Sequence, residues 1–314
     1  MLTYAARRLA LALLIACFAM LLLLAAMHTV PGDPASIALG PLATPEMRAD
    51  FRQRMGLDQP FLTQYLTFLG NVAVGDLGVD VWSKRPVTTL IAEQLPHTLA
   101  LALVGLGWAV MIGIPLGCIS AARRNSLFDK LTGVLSVACI AIPSFIVALY
   151  ALLLFAVTWK WFPAIGAGAD GDLADQLQRL VLPSLAVGLG WVGYLARFLR
   201  ASMLEVLGEN HIRMARAYGL SPWRITYVYA LKLAILPTVA LLGVGIGSLL
   251  SGAVFAEIIF ARPGIGKMVI DAVAQRNYPI VMGGVLVTTL LFTLATLLAD
   301  LVAAALDPRV RQGL

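Results

Sequence analysis

Long charge-free apolar runs alternate with shorter polar stretches along the 314 residues. About 20 apolar residues are enough to cross a bilayer core. Six runs meet that need or nearly so: Leu9–Met27, Thr98–Ala122, Leu131–Trp159, Leu180–Ala196, Leu233–Ala256 and Asn277–Ala299. The fourth is the shortest, with 17 residues. The pattern predicts an all-α membrane protein with six transmembrane helices. A cleaved signal peptide is the competing reading of the first run, because Arg7 and Arg8 precede it. Its 19 residues are long for the apolar core of a signal peptide, and "MHTVPGDP" is a poor cleavage site, so a retained span is expected.

The polar stretches divide the chain. Residues 1–29 form an N-terminal transmembrane helix, and 30–97 form an external (periplasmic) segment too long for a turn. In that segment "PGDPAS", "GPLATPEM", "GLDQP" and "GDLG" mix charge with turn formers. Thr44, Pro45 and Glu46 read as a helix start, with threonine as N-cap and proline at the first helical position. Two or three short helices are expected there, in a small external subdomain that either binds a partner or covers the bundle. Residues 98–306 form a five-helix core with a long inner loop at 200–232, and 307–314 a tail. A tight inner loop, "RRNSLFDK", separates the second and third spans. The outer loop "KWFPAIGAGADGDLADQLQR" follows the third, where Trp159, Trp161 and Phe162 suit a membrane interface. The last outer loop, "ARPGIGKMVIDAVAQRNYP", is expected to hold a short surface or re-entrant helix. No internal repeat is evident, which disfavours an inverted-repeat secondary transporter.

Composition agrees. With 60% hydrophobic and 13% charged residues and a mean hydropathy of +0.87, the soluble globular class is excluded. Six spans place both termini on one side. With the N-terminus inside, thirteen of the 23 Lys and Arg fall on the short inner segments, among them Arg123, Arg124, Arg197, Arg200, Arg213, Arg216 and Arg311. Positive-inside bias therefore predicts cytoplasmic N- and C-termini. The net charge of +6 reads as topology and not as a nucleic-acid patch. Cys17, Cys118 and Cys139 all lie in apolar runs, where they read as small core residues. With His28, His97 and His211 far apart in sequence and no close His/Cys pairing, neither a metal nor a cofactor is expected. "PGIGK" at Pro263–Lys267 is not a phosphate loop, since residue 261 is alanine and Met268 stands where Ser or Thr would bind magnesium. No nucleophile signature is present, so the chain is not expected to be an enzyme.

The inner loop is the most polar and most regularly patterned stretch. Leu204, Leu207, Met214 or Ala215, and Tyr218 recur at spacings near three and four, with Glu205, Glu209, Arg213 and Arg216 on the other side. Glu209 and Arg213 have the favourable order for an i,i+4 pair. Gly219 suits a left-handed helix end. Ser221 and Pro222 restart a helix that can run to just before Pro237. Small Ala215, Ala217 and Gly219 would let another protein's backbone approach closely. An interfacial helix that merely floats in the headgroups is the plainer reading.

"ASMLEVLGENHIRMARAYGLSP…ALKLAILP" resembles the coupling segment of inner-membrane permeases of ATP-binding-cassette importers, and most of all the dipeptide, oligopeptide and nickel branch. The resemblance extends over nearly the whole chain through Tyr4-x-x-Arg7-Arg8-Leu9, "PGDPA", "GLDQP", "GDLG", "PVTTLI", "FPAIGAG", "IFARPGIGKMVIDAV", "RNYPIV" and "LDPRVR". The family's Glu-Ala-Ala positions fall at Arg213, Met214 and Ala215, and its glycine at Gly219. Arginine thus replaces the motif glutamate, and Tyr218 stands where the peptide branch often has lysine. The resemblance implies an ATPase-docking loop over Arg213, Met214, Ala215, Arg216, Ala217, Tyr218 and Gly219. It also implies a second homologous permease subunit in a heterodimer, two cytoplasmic ATPase subunits and an external substrate-binding protein. Short peptides lead as substrate, with nickel or a metal chelate, glutathione and opine-like solutes as alternatives. A stand-alone secondary transporter and an intramembrane enzyme are the readings from other classes. In the fifth span Gly243, Gly247 and Ser251 form a small-residue stripe, read as helix packing or as pathway lining. Glu257 and Asp300, near the ends of apolar runs, are candidate pathway or pairing residues, or headgroup-level acids.

Overall fold

Hydrocarbon offers no water to a backbone, so an apolar run satisfies its N–H and C=O groups within one helix. The computed structural model describes residues 2–29, 32–169 and 171–306. It is built of α1 (Leu2–Thr29), α2 (Pro34–Leu39), α3 (Pro45–Arg54), α4 (Phe61–Ala73), α5 (Val87–Trp108), α6 (Ile114–Ala122), α7 (Leu127–Ala141) and α8 (Ser144–Ala151). Then come α9 (Leu173–Leu207), α10 (Asn210–Ala217), α11 (Pro222–Arg224), α12 (Leu231–Ala234), α13 (Leu236–Ile259), α14 (Ile265–Ala274) and α15 (Tyr278–Leu306). Turns of π-helix join α5 to α6 at Ala109–Gly113, extend α8 through Leu152–Thr158 and join α11 to α12 at Ile225–Ala230. No named strand occurs among the described residues. The expected tail, 307–314, lies outside them.

Among the described residues, five helices are long and apolar enough to cross a membrane: Ala6–Thr29, Val87–Ala122, Leu173–Leu207, Leu236–Ile259 and Tyr278–Val302. The expected uninterrupted third span is instead a pair, Leu127–Ala141 and Ser144–Thr158, bent by 96°. The cause is Pro143, which has no N–H to continue the ladder and holds Ile142 in extended backbone with ψ 119°. Helices also run past their apolar runs. The chain is helical from Val87, well before Thr98, and the shortest run is the middle of a 35-residue helix.

The chain divides into two units. One comprises residues 2–4, 97–262 and 292–306. Its axis is α9, with Leu195, Leu199 and Met203 fully buried. At Gly188 and Gly193 neighbouring backbones come within side-chain distance. A Cβ on Gly188 would lie 2.3 Å from the Gly105 carbonyl, and one on Gly193 2.5 Å from that of Ser136. Glycine is what lets α5 and α7 touch α9. Cys118 is buried in this unit, and all three cysteines are free.

The other unit comprises residues 5–96 and 263–291. Met20 and Leu24 of α1 pack with Met282 and Leu286 of α15, and Val87 and Ile91 with Ile265 and Val281. Three short helices occupy the segment after α1. Thr44 caps α3 as expected, accepting from the Met47 N–H at 3.2 Å. Asp33 caps α2 and receives Arg52 at 2.8 Å, and those hydrogen bonds hold its carboxyl below the usual range. The expected short helix in the last loop is α14.

Candidate functional site

The loop after α9 is built from two stops and two starts. Gly208 ends α9, and Glu209 begins α10 in extended backbone. Gly219, at φ 76°, ends it in the left-handed region as its sequence position predicts. The Gly219 N–H donates to Arg216 O at 3.0 Å and the Leu220 N–H to Ala215 O at 3.2 Å, the two bonds of a Schellman motif. Ser221 then caps α11, accepting from the Arg224 N–H at 3.4 Å, with Pro222 at the first helical position. The restarted helix runs through α12 to Ala234 and breaks at Ile235.

Burial sorts the loop into a base and a crown. Ile212 and Ala215 are buried in one cluster with Leu199, Met203, Ile225, Ala230 and Ala234. Arg213, Met214, Arg216, Ala217, Tyr218 and Gly219 are exposed, Met214 at 59% and Tyr218 at 79%. Trp223, 66% exposed, stacks on Tyr227 at 5.5 Å and stands next to Arg224 on the restarted helix. Arg213, Arg216 and Arg224 carry no ion pair among the described residues. The crown is thus cationic and apolar at once, and the space where a Gly219 side chain would go is open. It offers no nucleophile. Its chemistry is that of a surface to be docked against.

Three expectations for the loop are corrected. Ala215 belongs to the buried base, so it is not part of the small-residue surface. The chain turns at Gly208, so Leu204, Leu207 and Tyr218 do not share one helical stripe, and Tyr218 points outward. The Glu209 carboxylate faces His211 Nδ1 at 3.0 Å and not Arg213, because Glu209 is the N-cap in extended backbone and lies outside the helical geometry that an i,i+4 pair needs. Trp223 and Arg224 were missed. Their signal was the Ser221-Pro222 restart, which places an exposed first turn against the glycine.

Behind the base sits a buried carboxylate that sequence reading also missed. Asp129, in the first turn of α7, is 5% exposed. It accepts from Ser120 Oγ, from the Asn125 N–H at 2.9 Å and from two nitrogens of Arg200. Ser126, three residues earlier, caps the same helix. A serine followed three residues later by an acid was the available signal.

The remaining predicted residues lie on α13, apart from Asp300 on α15. A Cβ on Gly243 would lie 2.1 Å from Ala299 Cβ, and one on Gly247 1.8 Å from the Phe292 ring. Ser251 Oγ donates back to the Gly247 carbonyl at 3.4 Å. Glu257 is 1% exposed and accepts from Thr98 Oγ1 at 2.6 Å, so it is a buried acid paired within the fold. Asp300 lies in the last turns of α15.

The fold is thus a multi-pass helical bundle with an exposed loop on a buried base between two spans, and its family is that of a transporter component. Residues 113–312 match the family described as binding-protein-dependent transport system inner membrane component. Residues 1–102 match its N-terminal companion. The chain is 35% identical over 333 residues to the di/tripeptide transport system permease protein DppB of Pseudomonas aeruginosa, covering 99% of each chain. It is 35% identical to the dipeptide permease DppB of Escherichia coli K12, with 93% of each covered. It is 36% identical to the glutathione permease GsiC of that strain, with 90% of each covered. An inward-facing structure of the MetNI methionine ABC transporter aligns with TM-score 0.59 at 18% identity, over 69% of this chain and 96% of that one, a likeness of fold. The chain belongs to the family of inner-membrane permease components of binding-protein-dependent importers. It is a multi-pass protein of the bacterial inner membrane.

Proposed function

We propose that this chain forms half of the translocation pathway of an ATP-driven, binding-protein-dependent importer of di- and oligopeptides. A second, homologous permease supplies the other half. One of two cytoplasmic ATPase subunits docks on the crown of α10, and an external binding protein delivers the solute. Both termini face the cytoplasm, in keeping with the Lys and Arg distribution. The observation that carries this reading is the exposed Met214, Tyr218 and Trp223, with Arg213, Arg216 and Arg224, on a fully buried Ile212 base. A surface that transmits motion must be accessible outside and rigid inside. ATP binding closes the ATPase pair, and the α10 loop carries that motion to α9 and α12, so that docking energy differs between the two states. The bundle does no covalent chemistry, and ATP is hydrolysed on the separate subunits.

Relatives named for dipeptides favour a peptide cargo. The glutathione permeases at 36% identity support a second reading, a γ-linked tripeptide. Both cargoes carry amide bonds, a free amine and at least one terminal carboxylate.

The test places cysteine at Ala217 in a cysteine-free chain. It should crosslink to an ATPase subunit and resist an impermeant thiol reagent in intact cells. Ala217→Asp and Gly219→Asp should still insert and pair with the second permease, yet lose transport and the ATPase response to loaded binding protein. Labelling from outside, or normal transport by both Asp variants, would overturn the docking role.

A further inference from the structure

Apart from the docking crown, α7 and α9 enclose an open cavity of about 420 Å³. That volume lies in the range of small-ligand sites, about 300–1,000 Å³. Arg200 and Asp129 meet in its wall and cancel each other. Lys130 and Arg197 also line it, both exposed, and neither has an ion pair among the described residues. Two cations are left uncompensated. Thr132 and Ser136, 6% and 4% exposed, are two hydroxyl-bearing residues that line the same space.

The position of these groups decides the ligand. Lys130 immediately precedes the charge-free run that starts at Leu131, and Arg197 immediately follows the one that ends at Ala196. Both therefore sit where hydrocarbon gives way to headgroups. Residues 130, 134 and 137 share one face of α7, being four and seven apart. Val134 is 69% and Val137 51% exposed, so an apolar stripe leads away from the Lys130 ammonium. A free anion would have no use for that stripe, whereas an acyl chain lies along it. Gly133 keeps the wall open, since a Cβ there would meet nothing within 4 Å.

We propose that this cavity binds an anionic phospholipid, its phosphate held by Lys130 and Arg197 with the Thr132 and Ser136 hydroxyls, its chain along Val134 and Val137. Basic recesses between transmembrane helices are suited to such headgroups. The site does not depend on the docking role of α10, and its readout is lipid binding, so the two stand or fall separately.

The test uses the full chain in the assembly with which it co-purifies. That assembly is delipidated and reconstituted in phosphatidylethanolamine vesicles with or without phosphatidylglycerol, and retained lipid is counted by native mass spectrometry. Wild type should retain phosphatidylglycerol over phosphatidylethanolamine. The double variant Lys130→Gln/Arg197→Gln should bind it about twenty-five-fold more weakly, taking about five-fold per cation near the surface. Gly133→Leu should weaken retention with no change of charge, and Arg123→Gln, outside the cavity, should leave it intact. If Gly133→Leu unfolds, the double variant decides, because Lys130 and Arg197 have no ion pair among the described residues. Equal retention by wild type and double variant overturns the proposal. So does displacement of the retained phosphatidylglycerol by inorganic phosphate at equal concentration, which would make the site one for a free anion.

Discussion

Arg200 holds Asp129 with two nitrogens, Nε on one carboxylate oxygen at 2.5 Å and Nη2 on the other at 2.8 Å. The pair ties the first turn of α7 to α9 two turns ahead of Gly208, where the exposed loop begins. Ser120 and the Asn125 N–H complete the carboxylate's partners. The Arg200–Asp129 pair adds a polar tie to the close packing of Gly193 against Ser136 that also joins α7 to α9.

Removing one member leaves the other charged and unsatisfied. Asp129→Ala should lower unfolding stability by about 2 kcal/mol, less than the ~3–5 kcal/mol of a fully buried pair because the Arg200 side chain is 31% exposed. Asp129→Ala/Arg200→Met should recover most of that loss. Denaturant unfolding in detergent measures both. A single variant as stable as wild type would show that the pair contributes nothing to the fold.

Glycines on α9 and α5 differ sharply in what a methyl group would meet. A Cβ on Gly188 would lie 2.3 Å from the Gly105 carbonyl, which is backbone and cannot swing away, whereas one on Gly107 would meet nothing within 4 Å. Gly188→Ala should cost about 1–3 kcal/mol through forced separation of the helices. Gly107→Ala should be neutral or slightly stabilising, since alanine is the better helix former. Thermal unfolding of the two variants side by side checks the contrast, and equal midpoints would contradict the close approach.

Acid should release a specific contact after α4. Burial pushes the Asp80 carboxyl up, but the Ser83 hydroxyl and N–H, the Asn277 amide and the Trp82 N–H together bring it below its ordinary value. A depressed carboxylate stabilises the fold above its unfolded pKa of about 3.9, and the contribution is lost as pH falls through the folded value. Wild type should therefore exceed Asp80→Asn in unfolding midpoint by a constant margin at neutral pH. That margin should shrink below about pH 4. A margin unchanged down to strong acid would mean that the Asp80 charge is not what holds Asn277.

Some features of the loop and the external segment were legible because their causes are local. Gly219 takes φ 76°, Ser221 caps, and Thr44 caps, each within a window of four residues that the sequence displays directly. Ala215 was misplaced for the opposite reason. Alanine is compatible with either side of a helix, and what buries it is a cluster drawn from α9, α10 and the restarted helix together.

The sequence alone determined that this chain is a bundle of membrane-spanning helices with a helix–glycine–helix loop between two of them, and its motifs marked the importer family. Apolar runs, helix stops and caps act over a few residues, and hydrocarbon leaves the backbone one way to satisfy itself. Only the tertiary structure decided which carboxylate Arg200 meets, 71 residues away, and that Glu257 is buried against Thr98, 159 residues away. It also decided that the third span bends by 96° and that α7 and α9 leave a basic cavity between them. Those outcomes depend on which helices come together, and no single segment carries that information.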